Sequence, residues 1–115
     1  MFIRSALVAC IAATLFHHVH NAEFLEQYPN LPASLSRAWV YAAWLGATAI
    51  GIAGYLLLPR RTGVALLVLY GAYALNGLVH YTLAPMSAHS FAMNLTIWLE
   101  AAAGAGLVLA AARAK

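Results

Sequence analysis

The sequence predicts an all-α integral membrane protein: a four-helix up-and-down bundle forming a single transmembrane domain over residues 1–115. Three observations carry that expectation. Hydrophobic residues make up 64% of the chain and charged ones 8%, against about 25% charged in a soluble domain, so lipid has to be the covering solvent. The apolar residues fall into four runs, each close to the ~20 residues that a helix needs to cross a bilayer. Basic residues gather at the ends of those runs, at Arg4, Arg60, Arg61, Arg113 and Lys115.

The first helix is expected over about 3–22. Its purely apolar part, "SALVACIAATLF", is too short to span alone, so the helix has to run on through His17, His18 and His20. Those imidazoles must then face protein or a water-filled cavity, because polar groups are costly against lipid. The second helix, 37–58, is uncharged after Arg37, can be capped by Ser34 or Ser36, and ends at "PRRTG". The third, 63–83, stops before Pro85, and the fourth, 89–112, is uncharged up to its end except for Glu100.

The connection 22–36, with Phe24, Leu25, Tyr28 and Leu31, is expected to lie along the membrane interface. Trp39, Tyr41, Trp44, Tyr28 and Tyr81 read as an interfacial aromatic belt. "WLGATAIGIAG" (44–54) resembles "WLEAAAGAGLV" (98–108), which suggests two pseudo-repeated helical hairpins. Small residues four apart, Ala47/Gly51 and Ala102/Gly106, favour close helix packing, within the bundle or in a homo- or hetero-oligomer through Gly/Ala faces.

By the positive-inside rule both termini and the 59–63 turn belong in the cytoplasm, as in a multi-pass protein of a bacterial inner membrane. The net charge of +3 is dispersed over helix ends and forms no patch, which excludes nucleic acid as a partner and leaves the lipid bilayer. The lone Cys10 excludes an intrachain disulfide or a thiolate zinc site and reads as a small buried hydrophobe. "LVAC" resembles a lipoprotein cleavage box, but with too short an apolar stretch before it.

Helical spacing gives every helix one polar stripe: Cys10, Thr14, His17 and Asn21 on the first, Tyr41, Trp44, Thr48 and Tyr55 on the second. Tyr73, Asn76, Gly77 and His80 share a face of the third, and His89, Met93, Thr96 and Glu100 a face of the fourth. The histidines are expected near the outer face, with Glu100 about 16 Å below His89 and within reach of Tyr73, Thr48 and Thr14. His18 reads as a headgroup or capping residue, Glu23 and Glu26 as loop acids near Arg37, and Asn94 as a link between helices.

This pattern points to a histidine-lined polar cavity near the non-cytoplasmic face. His17, His20, Asn21, His80 and His89 are the candidate metal ligands; neutral imidazole with amide oxygen suits zinc, iron or copper(II). His17 and His80 could instead hold haem b between two helices, for redox or metal-assisted chemistry. Glu100, an acid at mid-membrane, is the candidate proton carrier, with Tyr73 beside it. The competing expectations are a proton, ion or small-molecule transport component and a non-catalytic accessory subunit of a membrane complex. Whether the chain is an enzyme stays open at this point.

Overall fold

The computed structural model describes residues 2–114; Met1 and the basic Lys115 lie outside the described residues. The chain runs through α1 (Phe2–Glu23), α2 (Arg37–Leu56), α3 (Arg61–Ala74), a 3₁₀ segment (Leu75–Val79), α4 (His80–Leu83) and α5 (Phe91–Ala112), with no strand among the described residues. α1, α2, the stretch Arg61–Leu83 and α5 are each long and apolar enough to cross a membrane, which marks a multi-pass membrane protein. Each span packs on its neighbours in the chain, and α1 also packs along α5, closing a ring of four. The bundle measures 42 × 25 × 19 Å.

The amphipathy is that of a protein in lipid. α1 buries Leu7, Cys10, Thr14, His17 and Asn21, a stripe at three- and four-residue spacing. Its other faces present Val8, Phe16 and Val19 outward. α5 likewise turns Glu100 inward with Met93, Ile97, Gly104 and Leu107, while Leu95, Leu99 and Leu109 are exposed.

In the half of the bundle on the side of the 57–60 turn, the packing is backbone on backbone. A Cβ added at Gly104 would lie 2.5 Å from the Gly71 carbonyl oxygen, so these crossing helices tolerate no side chain there. Of the two small-residue pairs expected to pack, Ala47/Gly51 does: Gly51 lies against the Tyr70 ring. Ala102/Gly106 does not pack within the bundle, where both are exposed and Gly106 faces open space. The α3–α5 crossing uses Gly71 and Gly104 instead, on the opposite face of α5.

Boundaries moved most at the third and last spans. The expected continuous helix 63–83 begins at Arg61 and tightens into 3₁₀ at Leu75–Val79. There is no proline there to announce the break, which serves the packing around Gly77 described below. The last span starts at Phe91 because Ser90 caps it, accepting from Met93 N at 3.2 Å, and His89 is left in extended backbone. Ser36 rather than Ser34 caps α2, accepting from Trp39 N at 3.2 Å.

Within the 24–36 connection one side chain turns inward. Tyr28 is buried, and Asn30, at φ 59°, donates from Nδ2 to the Leu83 carbonyl at 2.9 Å. Asparagine is among the few residues that readily take this left-handed conformation. Trp44 also leaves the expected aromatic belt, donating from Nε1 to Thr14 Oγ1 at 3.1 Å. Glu23 and Arg37 do pair, at 2.7 Å on the surface, and Asn94 accepts from Tyr81 Oη at 2.7 Å, tying the 81–90 turn to α5.

Candidate functional site

Two helices bring the central groups to one level. α1 runs on to Glu23, so His17 lies about 9 Å inside its end, and Glu100 lies about 14 Å inside the start of α5. Their facing stripes meet there: His17 Nε2 is 3.7 Å from Glu100 Oε2 and His18 Nδ1 is 3.5 Å from Oε1. Glu100 therefore sits beside the α1 histidines, where the sequence placed it well below them. His18, expected at a headgroup or a cap, is buried in the bundle.

The hydrogen-bond partners set the tautomers. His18 Nδ1 lies 2.7 Å from the Thr14 carbonyl, which can only accept, so Nδ1 carries the proton. The lone pair of His18 Nε2 then receives the Tyr73 hydroxyl at 2.8 Å. Thr96 donates its hydroxyl to the Met93 carbonyl at 3.0 Å, so His17 Nδ1–H donates to Thr96 Oγ1 at 3.3 Å. That leaves the lone pair of His17 Nε2 turned toward Glu100. His80 Nε2 accepts from Asn21 Nδ2 at 3.1 Å, and His89 Nδ1–H donates to the Pro85 carbonyl at 2.9 Å.

Glu100 is 1% exposed, and neither of its oxygens has a hydrogen-bond partner. The separations to His17 and His18 exceed hydrogen-bond length. A carboxylate here would be a buried charge without a cation; the neutral acid, with a proton to offer toward His17 Nε2, is the form these surroundings accommodate. The 3₁₀ segment makes the room. A Cβ added at Gly77 would lie 2.5 Å from Glu100 Oε2 and 3.6 Å from His17 Nε2.

A cavity of about 320 Å³ opens beside the acid. Its polar wall is His17, His18, Asn21, Tyr73, Asn76, His80 and Glu100; its apolar wall includes Leu31, Pro32 and Leu35 of the 24–36 connection with Trp39, Val40 and Ala43 of α2. Imidazoles lead away from it toward the 84–90 turn, with ring centres 5.3 Å apart for His17–His80 and 6.1 Å for His80–His89. The buried His80 Nδ1, His89 Nε2 and Asn21 Oδ1 have no partner.

The expected ligands divide. His17, Asn21 and His80 line the cavity, His89 reaches it only through His80, and His20 turns aside to Tyr28 Oη at 2.8 Å. Among the described residues, no three His, Cys, Asp or Glu side chains are grouped so as to hold a metal ion. The His17 and His80 rings, the pair considered for haem, meet edge to face with centres 5.3 Å apart at 73°. Thr14 and Thr48 do not bond Glu100: Thr14 is engaged with Tyr70 Oη at 3.0 Å, and Thr48 Oγ1 is buried without a partner.

Sequence reasoning missed Tyr28. Its ring packs 4.9 Å from that of His80, and burial pushes its phenol up to about 12, so it stays neutral as it covers the histidines. No periodicity exists in a connection to reveal such a residue. The role of Gly77 was equally hidden, though its face was not. Beyond Thr14 and Tyr70 the interior closes on Leu7, Leu67 and Leu107. No family model matches the chain, and comparisons with curated proteins and with solved structures give no match.

Proposed function

We propose that the protein is a membrane-embedded acid–base site, in which Glu100 and His17 exchange a proton at the floor of a pocket that admits a small ligand from one face of the membrane. One observation carries this reading: a fully buried carboxyl group with no hydrogen-bond partner faces both an imidazole lone pair and an open cavity. Proton transfer from Glu100 to His17 converts a neutral pair into an ion pair with no change in net charge, a step that a low-dielectric site can support. His17 Nδ1–H, anchored on Thr96, orients the accepting nitrogen. The Tyr73 hydroxyl gives its proton to His18 Nε2, so its oxygen stands on the same wall as an acceptor.

The apolar wall suits a ligand with a greasy body and one polar end. The closed Leu7–Leu67–Leu107 layer favours a dead-end pocket over a complete channel. The metal reading draws on the same imidazoles, with the unpartnered His89 Nε2 in its favour, but it needs several rings to turn before three donors converge. Arg4, Arg60, Arg61 and Arg113 support placing the opposite end of the bundle in the cytoplasm and the pocket mouth outside. A cysteine introduced at Gln27 should then be labelled from outside intact cells and one at Arg61 should not; the reverse pattern would invert this orientation.

Infrared spectroscopy tests the acid–base reading. The wild-type protein should show a protonated-carboxyl C=O band that Glu100→Gln removes and that fades as pH rises, with the fold retained in both. A Glu100 band that never changes while the protein stays folded would reduce the residue to a structural one.

A further inference from the structure

We infer that the pocket takes a small organic cation, an ammonium head on an apolar body, in exchange for the proton of Glu100. This rests on the acid–base reading above and names the ligand class for the same site. The first argument is charge. Glu100 is an acid in the lining and, among the described residues, no arginine or lysine lines the pocket to answer it. Arg37, the basic residue nearest in the chain to this wall, is held by Glu23 on the surface at 2.7 Å. An anionic ligand would meet a carboxyl and no counter-charge, whereas a cation supplies the charge that an ionised Glu100 lacks.

The second argument counts hydrogen-bonding atoms. Once Glu100 has given up its proton, the unpartnered buried atoms of the lining are its two carboxylate oxygens and Asn21 Oδ1, which accept, against His80 Nδ1, which donates while Nε2 receives Asn21. The wall is richer in acceptors than in donors, so a ligand bringing N–H groups or positive charge satisfies it and a neutral hydrocarbon does not. The third argument is the remaining surface. Trp39 and Tyr73 offer aromatic faces of the kind that attract ammonium groups, and Leu31, Leu35 and Val40 cover an apolar body.

The exchange balances. The O–H bond of Glu100 breaks, its electron pair stays on the carboxylate, and the proton passes to His17 Nε2 and from there through the cavity to the solvent. One cation enters as one proton departs, so the net charge of the buried site is unchanged. The titratable groups around Glu100 are His17, His18 and Cys10 from α1, Tyr70 and Tyr73 from α3, His80 from α4 and Tyr28 from the connection; α2 contributes none to the pocket wall.

The experiment is calorimetric titration of the purified protein, in a non-ionic detergent, with benzyltrimethylammonium, which has no proton of its own to release. Two buffers of different ionisation enthalpy give the proton count. About one proton should be released per cation bound, with affinity rising up to about tenfold per pH unit while Glu100 starts protonated. Glu100→Gln should lose the binding, and 3-phenylpropionate, an anion of similar body, should not bind. Binding without proton release, or equal binding of the anion, would overturn the inference. If no cation binds while the infrared band of Glu100 still titrates, the inference falls and the acid–base reading stands; a band that never titrates ends both. The wild-type proton count and band decide the matter even if the glutamine variant fails to fold.

Discussion

The two halves of the bundle solve the problem of burying helices in opposite ways. Around Gly71 and Gly104 the backbones touch, and Leu7, Leu67 and Leu107 fill what space is left. Near the 24–36 connection the helices stand apart around a cavity, the third span tightens into 3₁₀, and buried polar atoms are left without partners. Unpaired polar atoms in a lipid-covered protein cost free energy, so a half that keeps several of them is shaped for something other than stability.

Substitutions can break that contrast. The largest effect is expected at Gly104→Leu, whose side chain would have to occupy the position of the Gly71 carbonyl, at a cost of about 3 kcal/mol or more. Its control is Gly106→Leu, which faces open space and should leave the unfolding midpoint in denaturing detergent near that of wild type. Equal loss in both would show that the α3–α5 crossing is not what holds the bundle.

Gly77→Ala should act mainly on function. The added methyl group displaces the Glu100 carboxyl from His17 at a modest stability cost of ~1 kcal/mol, and the infrared band of Glu100 should shift. An unchanged band would mean that the 3₁₀ segment does not position the acid. Tyr73→Phe removes the hydroxyl held by His18 Nε2 and should cost about 1 kcal/mol, read from the same unfolding curves.

Tyr28 gives a pH test. Its phenol loses its proton near 10 in the unfolded chain and at about 12 in place, so the fold favours the neutral form. The stabilisation is full below about 10 and is lost as pH climbs through about 12, so wild type should weaken over that interval. Tyr28→Phe should weaken less; an identical alkaline profile would show that the phenol is not buried over the histidines. Smallest of all is Arg37→Gln. It removes an exposed ion pair with Glu23, and no measurable change in midpoint is expected.

The sequence alone determined the four apolar spans, the inward-facing stripe of the first helix and the inward turn of the one acid in the last. The reason is local: the cost of exposing His17 or Glu100 to lipid depends only on which face of its own helix the residue occupies, and spacing records that face. Tertiary structure decided the rest. The level at which α1 meets α5 puts Glu100 beside His17 and His18, and that level depends on where both helices end, at Glu23 and at the Ser90 cap. The choice of Gly71/Gly104 over Ala102/Gly106 depends on which helix lies opposite, and the inward fold of Tyr28 depends on a connection with no repeat to read. Faces are set by neighbours in the chain, whereas depth, contact and proton positions are set by neighbours in space.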